Sequence, residues 1–255
     1  MLVVRNFLIF HARKHPDTYI PDLLTFPQNA ACKLPRIVSE DEMGRILKAA
    51  QQLPASKQNP LRSHTVKLAL VILFCCGLRR GELLRLKLKD FDSNENLLHI
   101  ESTKFNKSRV IALTESVAEQ LQGYLKLRKS QKLAFDPESY LLWSNNPLAK
   151  EHVYSAPALA HNWQCLCVAA QVLDEQKRPP RIHDLRHSFA VAALHRWYRS
   201  GTDVNTKLQH LCTYLGHSSV ASTLHYLHFT PELQKDAAEL FHQKVQTIFE
   251  EGGPK

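Results

Sequence analysis

Apolar and polar positions along this chain recur mostly with a helical period, and in one region with a period of two. Residues 3–14 place Val3, Phe7, Leu8 and Phe10 on part of one face, which suits a short amphipathic helix. The stretch that follows, HPDTYIPDLLTFPQNAACKLPR, has prolines at 16, 21, 27 and 35 and the composition of a linker. At Ser39 the pattern resets. Ser-Glu-Asp-Glu supplies an N-cap and an acidic first turn, and MGRILKAAQQL carries the helix on. The next helix, roughly 64–76, is apolar nearly all round (VKLALVILFCC), which predicts a central place in the core. Gly77 ends or kinks it, and ELLRLKL follows.

The one convincing period-two region comes next. NLLHIES and SRVIALT read as two short strands, joined by TKFNK with Lys104 and Lys107 at the hairpin tip. Helical patterning resumes over 115–129 and, after a short SYLLWSN segment, over roughly 153–171. DEQKRPPR is a polar connector that delivers the chain to a helix beginning near His183. Helices around 203–214, 219–228 and 231–249 complete the pattern, the last with apolar residues at 233, 237, 240, 241, 245 and 248. No internal repeat is visible. The expected fold is mostly α with a small antiparallel β-sheet or hairpin, an α+β arrangement.

Charge narrows the field of partners. Lys and Arg number 33 against 24 Asp and Glu, a formal net charge of +9, which favours a polyanionic partner, most often nucleic acid. The cysteines at 32, 75, 76, 165, 167 and 212 include no C-x-x-C pair and sit largely in apolar runs. They read as buried thiols of a reducing compartment rather than a disulfide framework. The 14 histidines form no H-E-x-x-H or finger-like pairing, so no metal site is expected. Arg5 interrupts the early apolar run, no signal-peptide cleavage site follows, and no run approaches transmembrane length. A cytoplasmic protein without membrane association is the expectation.

The chemistry gathers around HDLRHSFA, residues 183–190. His183, Arg186 and His187 stand three and four positions apart, on one face at the start of a helix. Unpaired backbone N–H groups and the positive dipole end make that face a place for an anion such as phosphate. The structural alternative is that a histidine caps the helix while Arg186 pairs with Asp184 or Asp174. GLRRGEL puts Arg79 just after the helix break, with Glu82 behind it. LGHSSVASTLHYLH places His217 at a turn and Tyr226 nine residues on. Each stretch alone also reads as a solvated or half-buried structural segment.

Taken in order, G-L-R-x-x-E-L, a hairpin-tip lysine, H-x-L-R-H-S-F-A and L-G-H-x-x-x-x-x-T-x-x-Y resemble the catalytic domain of the tyrosine recombinase (phage integrase) family over roughly residues 36–250. The resemblance implies Arg79, Lys104, His183, Arg186, His217 and the nucleophile Tyr226 as catalytic residues. It implies double-stranded DNA as partner, a homotetramer on DNA, and strand exchange through a 3′-phosphotyrosine without cofactor, ATP or metal. His187 and Glu82 read as orienting residues, and Lys107 and Arg109 as DNA-backbone contacts. Tyr214 is the competing nucleophile, but Leu211 and Leu215 give it a core-like setting.

Family members carry an N-terminal helical domain that closes a clamp around DNA. Residues 1–35 read as its last helix and the linker, and 36–255 as the catalytic domain. This leaves a second expectation, a truncated and recombination-incompetent DNA-binding remnant or regulator of a mobile element.

Overall fold

The computed structural model describes residues 2–22, 35–56, 59–101, 108–145 and 152–216. The chain divides into two compact units, residues 1–34 and 35–255. In the first, helix α1 (Leu2–Ala12) is followed by a turn whose Pro21 carbonyl accepts a hydrogen bond from Arg5 Nε at 3.1 Å. Phe7 and Phe10 on α1 are exposed.

The second unit begins as its local sequence dictates. Ser39 Oγ accepts the Glu42 N–H while the Glu42 carboxylate accepts the Ser39 N–H, a reciprocal cap that starts helix α2 (Glu40–Gln51). Helix α3 (Arg62–Cys76) is the hub: nine of its residues are buried, and it packs against α2 and three later helices. Gly77 stops it in the left-handed region at φ 60°. A short helix α4 (Arg80–Arg85) follows directly.

A three-stranded antiparallel sheet comes next, β1 (Phe91–Asp92), β2 (Leu97–Ile100) and β3 (Arg109–Ala112), in that spatial order. Leu98 pairs with Ile111 and Ile100 with Arg109. Leu98, Ile100 and Ile111 are buried while His99 and Val110 face out, so one face of the sheet lies on the core. At two residues, β1 is too short to leave a periodic mark in the sequence.

Helix α5 (Glu115–Ser130) returns across α3. The SYLLWSN segment forms isolated bridges, Lys87 with Tyr140 and Trp143 with Val153, so Val153 belongs to a bridge rather than to a helix. Helix α6 (Ala156–Ala169) starts later than its pattern suggests because Ser155 caps the Ala158 N–H and Pro157 fits only a first turn. Helices α7 (Asp184–Arg199) and α8 (Val204–Leu215) share a smaller core of Val191, Leu194, Leu208, Leu211 and Leu215. The helices expected at 219–228 and 231–249 lie outside the described residues. Cys76, Cys167 and Cys212 are buried thiols as expected, but Cys75 and Cys165 are exposed, each on the outer side of its helix. Among the described residues no helix is long and apolar enough to cross a membrane.

Candidate active site

The site is organised by the end of α3. Gly77 has a positive φ, and a Cβ there would sit 2.5 Å from the Phe189 ring of α7. Glycine therefore serves both the turn and the close packing of α7 against it. The turn presents the Gly77 carbonyl to Arg186, whose Nη1 donates to it at 2.7 Å. Arg186 is 2% exposed, and its Nη2 donates to the Leu215 carbonyl at the end of α8.

The two carboxylates considered as partners of Arg186 are taken by other arginines. Asp184 is paired with Arg181 at 2.8 Å and Asp174 with Arg178 at 2.9 Å. His183 occupies the N-cap position of α7 without a side-chain cap bond. Its ring meets that of His187 edge-on, with centroids 4.9 Å apart. Burial, then the positive charge of Arg186, lowers the His183 pKa. For His187 burial and then His183 bring it down to about 4. Both imidazoles are thus biased towards the neutral form.

Arg79 sits at the N-cap of α4, where its backbone N–H donates to Glu82 Oε2 at 2.9 Å. Its Nη1 donates to Glu82 Oε1 at 2.8 Å and its Nη2 to the Gly216 carbonyl at 2.6 Å. The side chain remains 40% exposed, open to a ligand. Glu82 is buried; burial alone would raise its pKa, but hydrogen bonds from Arg109 and Arg79 outweigh it and hold the carboxyl at about 2.

Arg109 departs from its expected place at a DNA backbone. Its side chain is 10% exposed and turned inward, with Nη1 and Nη2 on the two oxygens of Glu82 at 3.1 and 2.8 Å and Nε on the Tyr214 carbonyl at 2.7 Å. The signal for this was available: Arg109 is two residues from buried Ile111, hence on the inward face of β3.

Three successive carbonyls at the end of α8 therefore each receive a different arginine: Tyr214 from Arg109, Leu215 from Arg186, Gly216 from Arg79. The last carbonyls of a helix lack intrahelical partners and carry its negative dipole end, so they are natural acceptors for cations. Tyr214 stacks on Phe189 at 5.4 Å, and burial raises the pKa of its phenol, opposite to what a nucleophile requires. Lys104, Lys107, His217 and Tyr226 lie outside the described residues. Among the described residues no cluster of His, Cys, Asp or Glu is arranged to hold a metal.

The pattern of the phage integrase family matches residues 36–232. The chain belongs to the phage integrase family. It is thereby a tyrosine-type, site-specific DNA recombinase. The Sinorhizobium fredii integrase/recombinase y4rB is 35% identical over 237 residues, which span 92% of this chain and 74% of that protein. Tyrosine recombinase XerA of Pyrococcus horikoshii is 29% identical, across 81% of this chain and 61% of its own length. The crystal structure of XerA recombinase superposes with a TM-score of 0.60 at 25% identity, covering 95% of this chain and 72% of that one. The Tn1549 transposon integrase shares the fold, with a TM-score of 0.61 at 21% identity over 91% of this chain and 75% of that one.

Proposed function

We propose that this member of the family cleaves and rejoins double-stranded DNA through a 3′-phosphotyrosine on Tyr226, with residues 36–255 carrying the chemistry. The observation that supports it best is the convergence of Arg79 and Arg186 on adjacent carbonyls, Gly216 and Leu215, at the threshold of the segment bearing His217 and Tyr226. The exposed Arg79 guanidinium suits the non-bridging oxygens of a phosphate, where negative charge grows in the transition state, and the buried Arg186 adds fixed positive charge behind it.

Tyr226 Oη attacks phosphorus, forming the O–P bond as the P–O5′ bond breaks. Its proton passes to His183, whose lowered pKa keeps it a neutral acceptor. Lys104 protonates the departing 5′-oxygen, and His217 hydrogen-bonds the phosphate. The phosphotyrosine preserves the energy of the phosphodiester, so rejoining needs no nucleotide cofactor and no metal. Recombination pairs two duplexes on a tetramer of the chain, in the cytoplasm.

The test is trapping on nicked suicide DNA. The native chain is expected to give an SDS-resistant protein–DNA adduct, Tyr214→Phe to retain it, and Tyr226→Phe to lose it while still binding DNA. An adduct formed by Tyr226→Phe overturns the assignment.

A further inference from the structure

We propose that Arg109 is a positioning residue of the cleavage centre, setting the Arg79 guanidinium through Glu82 and the start of the nucleophile segment through the Tyr214 carbonyl. The inference rests on the reading of Arg79 as part of the phosphate clamp. Arg109 projects from β3, and its guanidinium bridges two parts of the chain that sequence keeps far apart. On one side it grips both oxygens of the Glu82 carboxylate, at 3.1 and 2.8 Å. On the other, its Nε holds the Tyr214 carbonyl at 2.7 Å.

The consequence for Arg79 follows from how the one carboxylate is divided. Arg109 occupies a position on each oxygen, which leaves Arg79 a single side-chain bond to Glu82, through Nη1 at 2.8 Å. The Arg79 Nη2 is then turned to Gly216, and the side chain stays open to solvent. Without Arg109 a position on each Glu82 oxygen is vacated, and Arg79 can exchange its Gly216 bond for a two-bond fork on Glu82, the preferred geometry of the pair, which withdraws it from a phosphate.

Gly216 gives independent support. Its φ is 66°, and a Cβ there would lie 3.0 Å from Arg109 Nη1 and 3.4 Å from Arg79 Nη1. The chain thus passes close to both guanidiniums, and a side chain at 216 would be strained by its positive φ and would press on the Arg109 guanidinium. A lysine at 109 cannot replace the arrangement, because one ammonium lacks the planar fork that reaches a carboxylate and a carbonyl together.

The experiment compares single-turnover cleavage of two nicked suicide DNAs. One carries the ordinary scissile phosphate; the other has a methyl in place of one non-bridging oxygen, which removes the negative charge that Arg79 serves. Arg109→Lys is expected to slow cleavage of the ordinary DNA by roughly 10- to 100-fold, the scale at which outer supporting groups act. On the methyl-substituted DNA the same variant should fall short of the native chain by less than about threefold, since the charge to be stabilised is gone. Both rates come from one preparation, so loss of folded protein lowers them equally and leaves the ratio unchanged. Glu82→Gln, which keeps the size of the side chain, should show the same selectivity. An equal loss on both DNAs, or no loss on either, overturns the inference. Arg79→Ala cleaving ordinary DNA at the native rate overturns the clamp reading, and the inference with it.

Discussion

Val38, three residues into the second unit, donates its backbone N–H to Ser188 Oγ at 2.8 Å, and Ser188 in turn donates to the Asp184 carbonyl one turn back in α7. Both groups are buried, so the pair fixes the entry of the chain directly onto the helix that carries Arg186. Ser188→Ala leaves the Val38 N–H buried without this partner, at a cost of about 1–3 kcal/mol. Urea unfolding should register that loss; a change under about 0.5 kcal/mol, the scale of an ordinary surface substitution, contradicts the reading.

Arg186 is expected to resist conservative replacement. A lysine cannot hold the Gly77 and Leu215 carbonyls together, because it lacks the planar fork. Arg186→Lys should slow single-turnover cleavage by on the order of 10²–10³-fold. Near-native cleavage by this variant contradicts the clamp. Native cleavage should also be indifferent to EDTA.

Two glycines make a paired prediction of opposite sign. At Gly77 the positive φ costs an alanine about 1–2 kcal/mol, and the collision with Phe189 adds to it. Gly44, inside α2, has nothing within 4 Å of a built Cβ, so Gly44→Ala should stabilise by about 0.5–1 kcal/mol. Thermal melting of both variants against the native chain checks the signs.

Acid should weaken the fold in two overlapping stages. The unfolded chain protonates His187 below about 6.5, while the folded protein resists until about 4, so stability falls as pH drops through that window. Glu82 follows. The unfolded carboxyl takes a proton below 4.5 and the folded one only near 2, so its contribution is whole above 4.5 and fades towards 2. The Glu82 shift corresponds to about 3 kcal/mol. Urea unfolding at a series of pH values should show His187→Asn flattening the upper stage and Glu82→Gln the lower; parallel curves for variant and native chains contradict the assignment.

What the sequence displayed was short in range. The Ser39–Glu42 reciprocal cap, the left-handed stop at Gly77 and the apolar α3 each follow from neighbouring residues. The family motifs placed Arg79, His183 and Arg186, and the structure puts these three around one helix end and one helix start. Arg109 reads from its basic neighbours as a DNA-backbone contact, whereas its alternation with buried Ile111 accords with the inward side chain. The triple capping of α8 could not be read, since its arginines stand 105, 29 and 137 residues from the carbonyls they hold. Nothing local encodes a bond of that span.

That triple cap also bears on how such a chain ages when selection is relaxed. In many enzymes a catalytic arginine can be lost silently, leaving an intact but idle protein. Here Arg79 and Arg186 terminate α8, so on the proposed reading each change that inactivates also strips a cap from a helix that seals the smaller core. Variants that lose either arginine should therefore yield poorly folded, quickly degraded protein rather than a durable inactive one.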